Sequence, residues 1–378
     1  MVDRDVSAES MSDEGVRVLM IDHTTSLGGA ELALPRLVRG SRHRWTLAFL
    51  EPVAGLVFPA GVPIEAPSRR LGLFRQLLFL RRVLRRNADA VVVSNTLRAA
   101  LLVAVLKVRG QLHVQILHDG LDEESLSTVK RLLSSWTLRS VDLVLPNSRW
   151  TASTVPERFA SKVGPVIYSP SGDPVRLSGP VSEVDDLHKP IRLLSLSRLV
   201  EWKGIHTLLS ALGDLSDLPA DALSVTIAGE AVMGRQEYVD ELRRSARKLK
   251  FEVDFVGHLE DVRPELRAHD VLVHASTRPE PFGQVIVQGL SHGLAVVASR
   301  GGGPSEIIED DRSGVLFTAG DEHDLARALR AVVSDHQLRL GLQRGALQRS
   351  ALFDDQHCAD LFDDSITELT NRRARRNT

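Results

Sequence analysis

The amino-acid sequence predicts an α/β protein in which two Rossmann-like parallel-sheet domains face each other across a central cleft. Short apolar, β-prone runs alternate with helical patterns along the chain, as in repeated strand–helix units of a parallel sheet. A stretch rich in Pro, Gly, Ser and Asp separates two such series near the middle of the chain. We therefore expect two domains joined by a hinge, with ligands bound between them.

The predicted strands are short runs that end in polar or glycine-containing turns. Their composition is typical of strands buried on both faces of a parallel sheet. The runs lie at residues 16–22, 46–50, 90–94, 112–117, 143–146, 191–195, 225–228, 254–257, 270–275 and 294–298.

The same pattern divides the chain into five parts. We predict a disordered N-terminus, an acceptor-side domain, a linker, a nucleotide-binding domain, and a last helix that crosses back to the first domain and carries a basic tail. The respective boundaries are 1–15, 16–172, 173–190, 191–350 and 351–378.

Composition and charge exclude several other classes of protein. A net charge of −2 over 378 residues gives no reason to expect a nucleic-acid partner. The longest uninterrupted apolar run, residues 99–106, is far shorter than the ~20 residues that span a bilayer. The acidic first fourteen residues lack the apolar run of a signal peptide, and Cys358 is the single cysteine. We therefore expect a cytoplasmic protein without an intramolecular disulfide.

Residues 275–310 carry the densest set of signals in the chain. A polar loop ends in Glu280-Pro281-Phe282-Gly283 directly before an apolar helical stretch, and Gly301-Gly302-Gly303 opens into Pro304-Ser305-Glu306 after the next strand. A glycine turn before a helix points backbone N–H groups outward, with the positive helix end behind them. These two turns predict two rims of one cleft that favour phosphate or sugar oxygens.

This stretch resembles the donor-binding motif of the family-4 retaining glycosyltransferases, which have the GT-B fold. The family pattern has two Glu residues eight positions apart, then A-x-x-x-G-x-P-V-V-x-S and G-G-x-x-E. Here the first Glu is Glu280, and Gly302-Gly303-Pro304-Ser305-Glu306 matches the last element, but Gln288 stands where the second Glu belongs. Gln keeps one carbonyl acceptor and loses the charge, so we expect weaker binding of the donor ribose.

The resemblance extends to the first domain at two loops. Gly28-Gly29-Ala30-Glu31 follows the first predicted strand, and this loop faces the donor diphosphate and the acceptor in similar enzymes. His118 follows the strand at 112–117, where a histidine of similar enzymes reaches the transferring sugar. Without the resemblance, a double glycine is often only a tight turn and a lone histidine is usually surface decoration. Ser148 is read as an N-cap, although similar enzymes place a Ser there facing the cleft.

In the second domain, Arg198 and Lys203 match the family's R-x-x-x-x-K-G pattern and would neutralise the donor diphosphate without a metal. Glu280 would take sugar hydroxyls, helped by the backbone N–H groups of Phe282 and Gly283. The resemblance implies that Gln288, Gly257 and His258 contact the nucleoside of the donor. For His258, a purely structural role is an equal alternative. No Asp-x-Asp metal motif lies in a suitable loop, since Asp185-Asp186 falls in the predicted linker.

Residues 69–86 carry seven arginines among large apolar residues. The interpretation we favour is an Arg-decorated amphipathic helix packed on the sheet. The alternative is a peripheral contact with the inner membrane face or with an anionic acceptor.

Together these features predict a retaining, metal-independent glycosyltransferase that moves a hexose-type sugar from a nucleotide donor, with a UDP-sugar as the family expectation. The acceptor hydroxyl, on a glycan, a lipid-linked glycan or a small molecule, is left open. Two alternatives share the fold. One is a nucleotide-sugar 2-epimerase, whose carboxylate and histidine pattern is not evident. The other is a non-catalytic partner subunit, for which Gln288 is the only argument.

Overall fold

The computed structural model describes residues 15–23, 29–53, 57–123, 126–170, 190–231 and 236–377. Twelve strands in this part of the chain form two six-stranded sheets, and every pair of neighbouring strands is parallel. This confirms the predicted architecture of two parallel-sheet α/β domains.

The first sheet has the strand order β3-β2-β1-β4-β5-β6, and the second has the order β12-β11-β10-β7-β8-β9. The strands are β1 (Arg17–Asp22), β2 (Arg44–Phe49), β3 (Ile64–Glu65), β4 (Val91–Ser94), β5 (His113–Leu117), β6 (Leu143–Pro146), β7 (Ile191–Leu196), β8 (Leu223–Ala228), β9 (Glu252–Gly257), β10 (Val271–His274), β11 (Ala295–Ser299) and β12 (Val315–Phe317).

Helices connect the strands and cover both faces of each sheet. They are α1 (Gly29–Gly40), α2 (Leu73–Arg86), α3 (Leu97–Leu106), α4 (Thr128–Ser140), α5 (Arg149–Ser153), α6 (Ile205–Gly213), α7 (Gln236–Ala246), α8 (Arg263–Ala268), α9 (Gln284–Ser291), α10 (Pro304–Ile307), α11 (Glu322–Ser334), α12 (His336–Ser350) and α13 (Asp355–Asn377).

The strand order of each sheet reverses at one point, between β1 and β4 in the first sheet and between β7 and β10 in the second. Loops that leave neighbouring strands in opposite directions open a crevice at the carboxyl ends of those strands, which is where ligands bind in open α/β sheets. The central strands are buried along almost their whole length, and β1, β4 and β10 each end in a polar residue, Asp22, Ser94 and His274.

The two faces of the first sheet are packed by different helices. Leu80 of α2 and Val103 of α3 pack with Leu19 and Ile21 on one face. On the other face, Met20 shares a core with residues of α1 and α13. In the described part of the chain, no helix is long and apolar enough to span a membrane.

Helix α13 lies far from α1 in sequence and packs against it. The rings of Trp45 and Phe362 stack with centroids 5.2 Å apart. The carboxylate of Asp363 accepts hydrogen bonds from the Ser41 hydroxyl at 2.6 Å and the Arg42 backbone N–H at 2.7 Å. The helix continues to Asn377, so the basic residues after 370 form its last turns instead of a separate tail.

Each of the ten predicted strands corresponds to an observed strand with shifts at the ends of at most two residues. Strands β3 and β12 were not predicted. The predicted N-terminal segment and linker fall almost entirely on residues outside the described part, so the proposed domain boundaries stay predictions.

Candidate active site

A cleft of about 1130 Å³ lies between the two sheets and is lined by residues from both. The first sheet contributes residues at the carboxyl ends of β1, β4 and β5, among them His23, Asn95 and His118. The second contributes the loops after β7 and β10, which carry Arg198 and Glu280. The cleft therefore opens at the two points where the strand orders reverse.

Glu280 is the best-fixed charged group of the cleft. Its Oε2 atom lies 2.5 Å from Lys203 Nζ, 3.2 Å from the Ser276 hydroxyl and 3.3 Å from His274 Nε2. Burial alone would raise the pKa of this carboxyl group, but Lys203 and His274 outweigh burial and hold the pKa well below its usual range. Glu280 is therefore ionised at neutral pH.

The second oxygen of this carboxylate accepts no hydrogen bond from the residues that the structure describes. All of the hydrogen bonds above go to Oε2, and no described residue donates to Oε1. The Glu280 side chain keeps 15% of its surface exposed, and the residue lines the cleft. Because the contacts to Oε2 fix the Glu280 carboxylate in place, Oε1 is suited to accept hydrogen bonds from ligand hydroxyls.

The two cations predicted to bind phosphate lie in different surroundings. Lys203 pairs with Glu280, and its ammonium lies 4.1 Å from the centroid of the Trp202 ring. Arg198 lines the cleft, and its guanidinium makes no hydrogen bond or ion pair with any described residue, so it can still form bidentate contacts with a ligand anion. The structure thus joins two residues, Lys203 and Glu280, to which the sequence assigned separate contacts.

His118 is oriented by two buried residues behind it. Its Nε2 lies 2.8 Å from Asn95 Oδ1, and the Asn95 amide donates to Asp22 Oδ2 at 2.7 Å. Because Asn95 uses its N–H₂ group on Asp22, its oxygen accepts from His118, so Nε2 carries the proton and Nδ1 is left as an acceptor. Burial lowers the pKa of His118 to about 4, so its ring is neutral at neutral pH.

This arrangement makes Asn95 a positioning residue. Replacing Asn95 by Ala should free the His118 ring to change tautomer and lower kcat/KM about tenfold, the cost of roughly 1.4 kcal/mol for one hydrogen bond. The ¹⁵N chemical shifts of the His118 ring report the tautomer directly. A ring that keeps its proton on Nε2 in Asn95→Ala would contradict this role, whatever happens to the rate.

The loop around Phe282 and Gly283 offers backbone donors to the cleft. Phe282 turns its ring into a core cluster with Tyr168 and Phe353, with centroids 5.9 and 6.1 Å away. Gly283 has a φ of 107° and precedes α9. The N–H groups of both residues bond to no described residue. They stand at the positive end of α9, as the predicted oxygen-binding rim requires.

The glycine turn at Gly302-Gly303 does not form the second rim that the sequence predicts. It lies behind the Glu280 loop, since Gly303 N–H donates to the Glu280 carbonyl at 2.8 Å and neither glycine lines the cleft. A Cβ on Gly302 would lie 2.0 Å from the same carbonyl oxygen. The turn's role is therefore to support the loop that carries Glu280.

We expect Gly302→Ala to lower the free energy of unfolding by more than ~2 kcal/mol, because a φ of 71° costs an L-residue about 1–2 kcal/mol and the clash adds to it. Gly320→Ala is the matched control, since Gly320 has a φ of 77° and nothing within 4 Å of its Cβ position. Urea denaturation of both variants measures the difference. Equal losses would show that the close approach to Glu280 is unimportant.

Ser148 and Glu306 join the two domains beside the cleft. The Ser148 hydroxyl caps α5 by accepting from Thr151 N–H at 2.9 Å, and it donates to the Pro281 carbonyl at 2.6 Å. The Glu306 carboxylate accepts from the backbone N–H groups of Arg149 and Trp150 at the start of α5. Ser148 is thus both an N-cap and a contact with the loop after Glu280.

The predicted nucleoside-side residues do not line this cleft. Gln288 lies on α9 one turn beyond the cleft-lining Gln284. Gly257 is the last residue of the edge strand β9, and the exposed His258 follows it. Gly29 begins α1 opposite Gln284, with 3.4 Å between its Cβ position and Gln284 Cβ. Gly28 lies outside the described residues. Roles for these residues stay predictions.

Two cleft-lining residues that the sequence did not single out carry buried polar atoms with no hydrogen-bond partner among the described residues, namely Ser197 Oγ and Gln284 Oε1. A buried unpaired polar atom is costly unless a ligand or water pairs with it. Ser197 directly follows the strand β7, and Gln284 directly follows the turn at Gly283. These positions are the sequence features that could have identified the two residues. Among the described residues, no group of three or more His, Cys, Asp or Glu could hold a metal ion, and metal independence stays a prediction.

Comparison with known proteins agrees with this fold. Residues 183–349 match the family model described as Glycosyl transferases group 1. Lipopolysaccharide core biosynthesis glycosyltransferase LpsE of Rhizobium meliloti is 36% identical over 154 residues, which cover 40% of this chain and 43% of LpsE. Glycogen synthase of Mycobacterium tuberculosis is 29% identical over 236 residues, 61% of this chain and 55% of the synthase.

Solved structures extend the similarity to both domains. HepE of Anabaena, in a structure with UDP and glucose, has a TM-score of 0.78 and 26% identity, covering 93% of this chain and 99% of HepE. Sucrose-phosphate synthase of Thermosynechococcus elongatus has a TM-score of 0.75 at 17% identity and supports the fold alone.

These similarities identify the fold of the chain and the kind of domain that its second half resembles. Residues 183–349 are similar to the glycosyl transferases group 1 domain, and the chain has the fold of GT-B glycosyltransferases. Its alignments span about half the length of the curated relatives it matches.

Proposed function

We propose that this protein is a retaining glycosyltransferase that moves a hexose-type sugar from a nucleotide diphosphate sugar to an acceptor hydroxyl. The observation that carries the proposal is the ionised Glu280 carboxylate, which is held through one oxygen and presents the other to a cleft that also contains Arg198. Such a site suits a ligand with hydroxyls at one end and phosphates at the other.

Each part of the cleft has a role in this reaction. Arg198 would bind the diphosphate and offset the charge that accumulates there as the sugar departs, with Lys203 adding a second positive charge. The N–H groups of Phe282 and Gly283 and the Glu280 carboxylate would hold the sugar. The neutral His118 would accept a hydrogen bond from a sugar hydroxyl through Nδ1. Catalysis of this kind depends on positioning and electrostatic stabilisation.

The identity of the donor is proposed from the neighbours. HepE was solved with UDP, with UDP and glucose, and with UDP-glucose. Its similarity to this chain extends over both domains, so a UDP-sugar is the first donor to test. We also propose that no metal is needed, because Arg198 and Lys203 can supply the positive charge that a metal would otherwise provide.

The deciding experiment is a thermal-shift and hydrolysis screen against UDP-, GDP- and dTDP-sugars, run with and without EDTA. Stabilisation by one nucleotide, with slow release of free sugar that EDTA leaves unchanged, is the expected result. Stabilisation without sugar release would favour the non-catalytic partner subunit. Conversion of the donor to its C2 epimer would establish the 2-epimerase instead, and no response to any nucleotide would overturn the proposal.

Gln288 allows a separate test of the donor subsite. If Gln288 contacts the ribose, Gln288→Glu should lower the donor KM by up to about tenfold, since a charge-assisted hydrogen bond is worth roughly 1.5–3 kcal/mol against about 1 for a neutral one. Steady-state kinetics measures KM and kcat separately. A large fall in kcat would show that Gln288 has another role. Gln348→Glu, at an exposed position of α12, controls for an added charge elsewhere.

A further inference from the structure

We propose that three buried polar residues at the start of α5 are positioning residues, which fix the loop of His118 relative to the loop of Glu280. The three, called here the α5 relay, are Asn147, Ser148 and Thr151. The inference deepens the proposed glycosyltransferase function and rests on it, because these two loops carry the groups that would contact the transferred sugar.

The α5 relay begins at the loop that follows β5. The side-chain amide of Asn147 donates to the His118 carbonyl at 3.2 Å. At the other end of α5, the C-cap residue Thr154 accepts a hydrogen bond from the Leu121 N–H through its hydroxyl oxygen at 2.9 Å. Both ends of the loop from His118 to Leu121 are therefore held by α5 and the residues that flank it. These contacts fix the backbone of the loop, in addition to the contact that orients the histidine ring.

The middle of the α5 relay joins Asn147 to Ser148 through Thr151. The Thr151 hydroxyl donates to Asn147 Oδ1 at 2.9 Å, and its oxygen lies 2.7 Å from Ser148 Oγ. The backbone N–H of Thr151 also donates to Ser148 Oγ at 2.9 Å. The exposed fractions of Asn147, Ser148 and Thr151 are 4%, 0% and 0%, so solvent water does not compete for these hydrogen bonds.

The α5 relay ends on the loop of the second domain that carries Glu280. The Ser148 hydroxyl donates to the Pro281 carbonyl at 2.6 Å, and the Thr151 hydroxyl oxygen lies 3.3 Å from the same carbonyl oxygen. Pro281 stands in the chain between Glu280, whose carboxylate would hold the sugar, and Phe282, whose N–H would do the same. A displacement of the Pro281 carbonyl therefore moves both of the proposed sugar contacts.

The chemistry of the α5 relay argues for a role beyond holding the domains together. Replacing both partners of a buried hydrogen bond by apolar groups of the same shape can be neutral or stabilising, so a contact that only joins domains can be apolar. Hydrogen bonds differ from apolar contacts because they require a particular distance and angle. A buried polar network that links the loops of His118 and Glu280 therefore fixes one arrangement of the two loops.

For the proposed reaction, this arrangement matters more than binding of the nucleotide does. His118 and Glu280 come from different domains, and a misplacement of about 1 Å in a reacting site can lower a rate about 10²-fold. Arg198 belongs to the loop after β7, with which no residue of the α5 relay forms a hydrogen bond in the described part of the chain. Loss of the α5 relay should therefore slow the chemical step and leave nucleotide binding unchanged.

The first test uses Thr151→Val, which removes the hydroxyl, keeps the volume of the side chain and leaves the N–H that caps α5 on Ser148. With UDP-glucose as the donor and water as the acceptor, kcat for sugar release should fall at least about tenfold, while the Kd of UDP changes less than about twofold. Thr151→Ser keeps the hydroxyl and should retain most of the rate. Thr137→Val is the matched control, because Thr137 is equally buried in α4 and its hydroxyl donates to the Leu133 carbonyl at 2.9 Å.

The second test needs no substrate. Hydrogen exchange of the peptide that covers residues 276–283 should be faster in Ser148→Ala and in Thr151→Val than in the unmodified protein, and unchanged in Thr137→Val. These amides belong to the second domain, so a role of the three residues confined to α5 would leave their exchange unchanged. A protein that releases no sugar from any nucleotide donor would overturn the proposed function, and this measurement would still decide whether the α5 relay holds the Glu280 loop.

Four results would overturn the α5 relay. The first is an equal fall of kcat in Thr151→Val and in Thr137→Val, and the second is an equal fall in Thr151→Val and in Thr151→Ser. The third is a loss of UDP binding that matches the loss of kcat, since that would indicate general damage to the cleft. The fourth is unchanged hydrogen exchange of residues 276–283 in Ser148→Ala.

Discussion

Replacing Glu280 by Gln is expected to lower kcat/KM by about 10²–10³-fold, the size typical for loss of one preorganised electrostatic contact to a transition state. The variant keeps the shape of the side chain and removes the charge that Lys203 and His274 hold in place. Sugar transfer and donor hydrolysis should fall together. Steady-state kinetics with the donor found in the screen measures the effect.

The same substitution should also destabilise the fold, because it leaves Lys203, whose side chain is 13% exposed, without its partner. Breaking a buried ion pair costs ~3–5 kcal/mol, while replacing both partners by neutral groups is often nearly neutral. We therefore expect Lys203→Met to recover stability in the Glu280→Gln background without restoring activity. Asp217→Asn, which removes a surface partner of Arg330, is the control. A Glu280→Gln enzyme with normal turnover would eliminate the assigned sugar contact.

The second large effect is expected at His118. His118→Ala should lower kcat/KM about 10- to 100-fold, because it removes the Nδ1 acceptor and leaves the Asn95 oxygen without its donor. The control is His323→Ala, since His323 lies on the surface and pairs with Asp214. Unchanged kinetics in His118→Ala would show that the ring does not contact the sugar.

The lowered pKa of His118 predicts the pH dependence as well. The pKa is about 4 in the fold, whereas an unfolded histidine titrates near 6.5. The unfolded chain therefore takes up a proton first, and the contribution of His118 to stability is lost as the pH falls from about 6.5 towards 4. His118→Ala should flatten this part of the stability profile, and kcat/KM of the unmodified protein should not fall through titration of His118 until the pH approaches 4.

The fold was largely predictable because its central strands are buried on both faces. Runs such as 91–94 and 295–299 are apolar at every position or nearly so, and such a run has few alternatives to a strand in a parallel sheet. Strands β3 and β12 were not predicted because they are edge strands of two and three residues, which is too short to show a periodic pattern of apolar residues. They are recognisable as strands only because they pair with β2 and β11 in the folded sheets.

The candidate site was predictable where a residue follows a strand end and matches a family motif. Glu280, Arg198, Lys203 and His118 all line the cleft for this reason. The contacts between them were not predictable, because Asp22, Asn95 and His118 are separated by 73 and 23 positions and are joined only by the order of β1, β4 and β5.

At the Gly302-Gly303 turn, the sequence predicted a ligand contact where the structure shows a contact between two backbone segments. A double glycine before a helix is typical of an oxygen-binding turn, but it is equally what two closely approaching backbone segments require. Only the position of the Glu280 carbonyl, 2.0 Å from where a Cβ would lie, separates the two interpretations.

The return of α13 to the first sheet has a consequence for synthesis of the chain. Phe362 and Ile366 complete the core that Met20 and Trp45 begin, so the core of the first sheet cannot close until residues near position 366 have been synthesised. Until then, the apolar residues that α13 covers on this side of the first sheet are exposed to solvent. A fragment ending before residue 355 should accordingly aggregate, and adding the last helix as a separate peptide should rescue it.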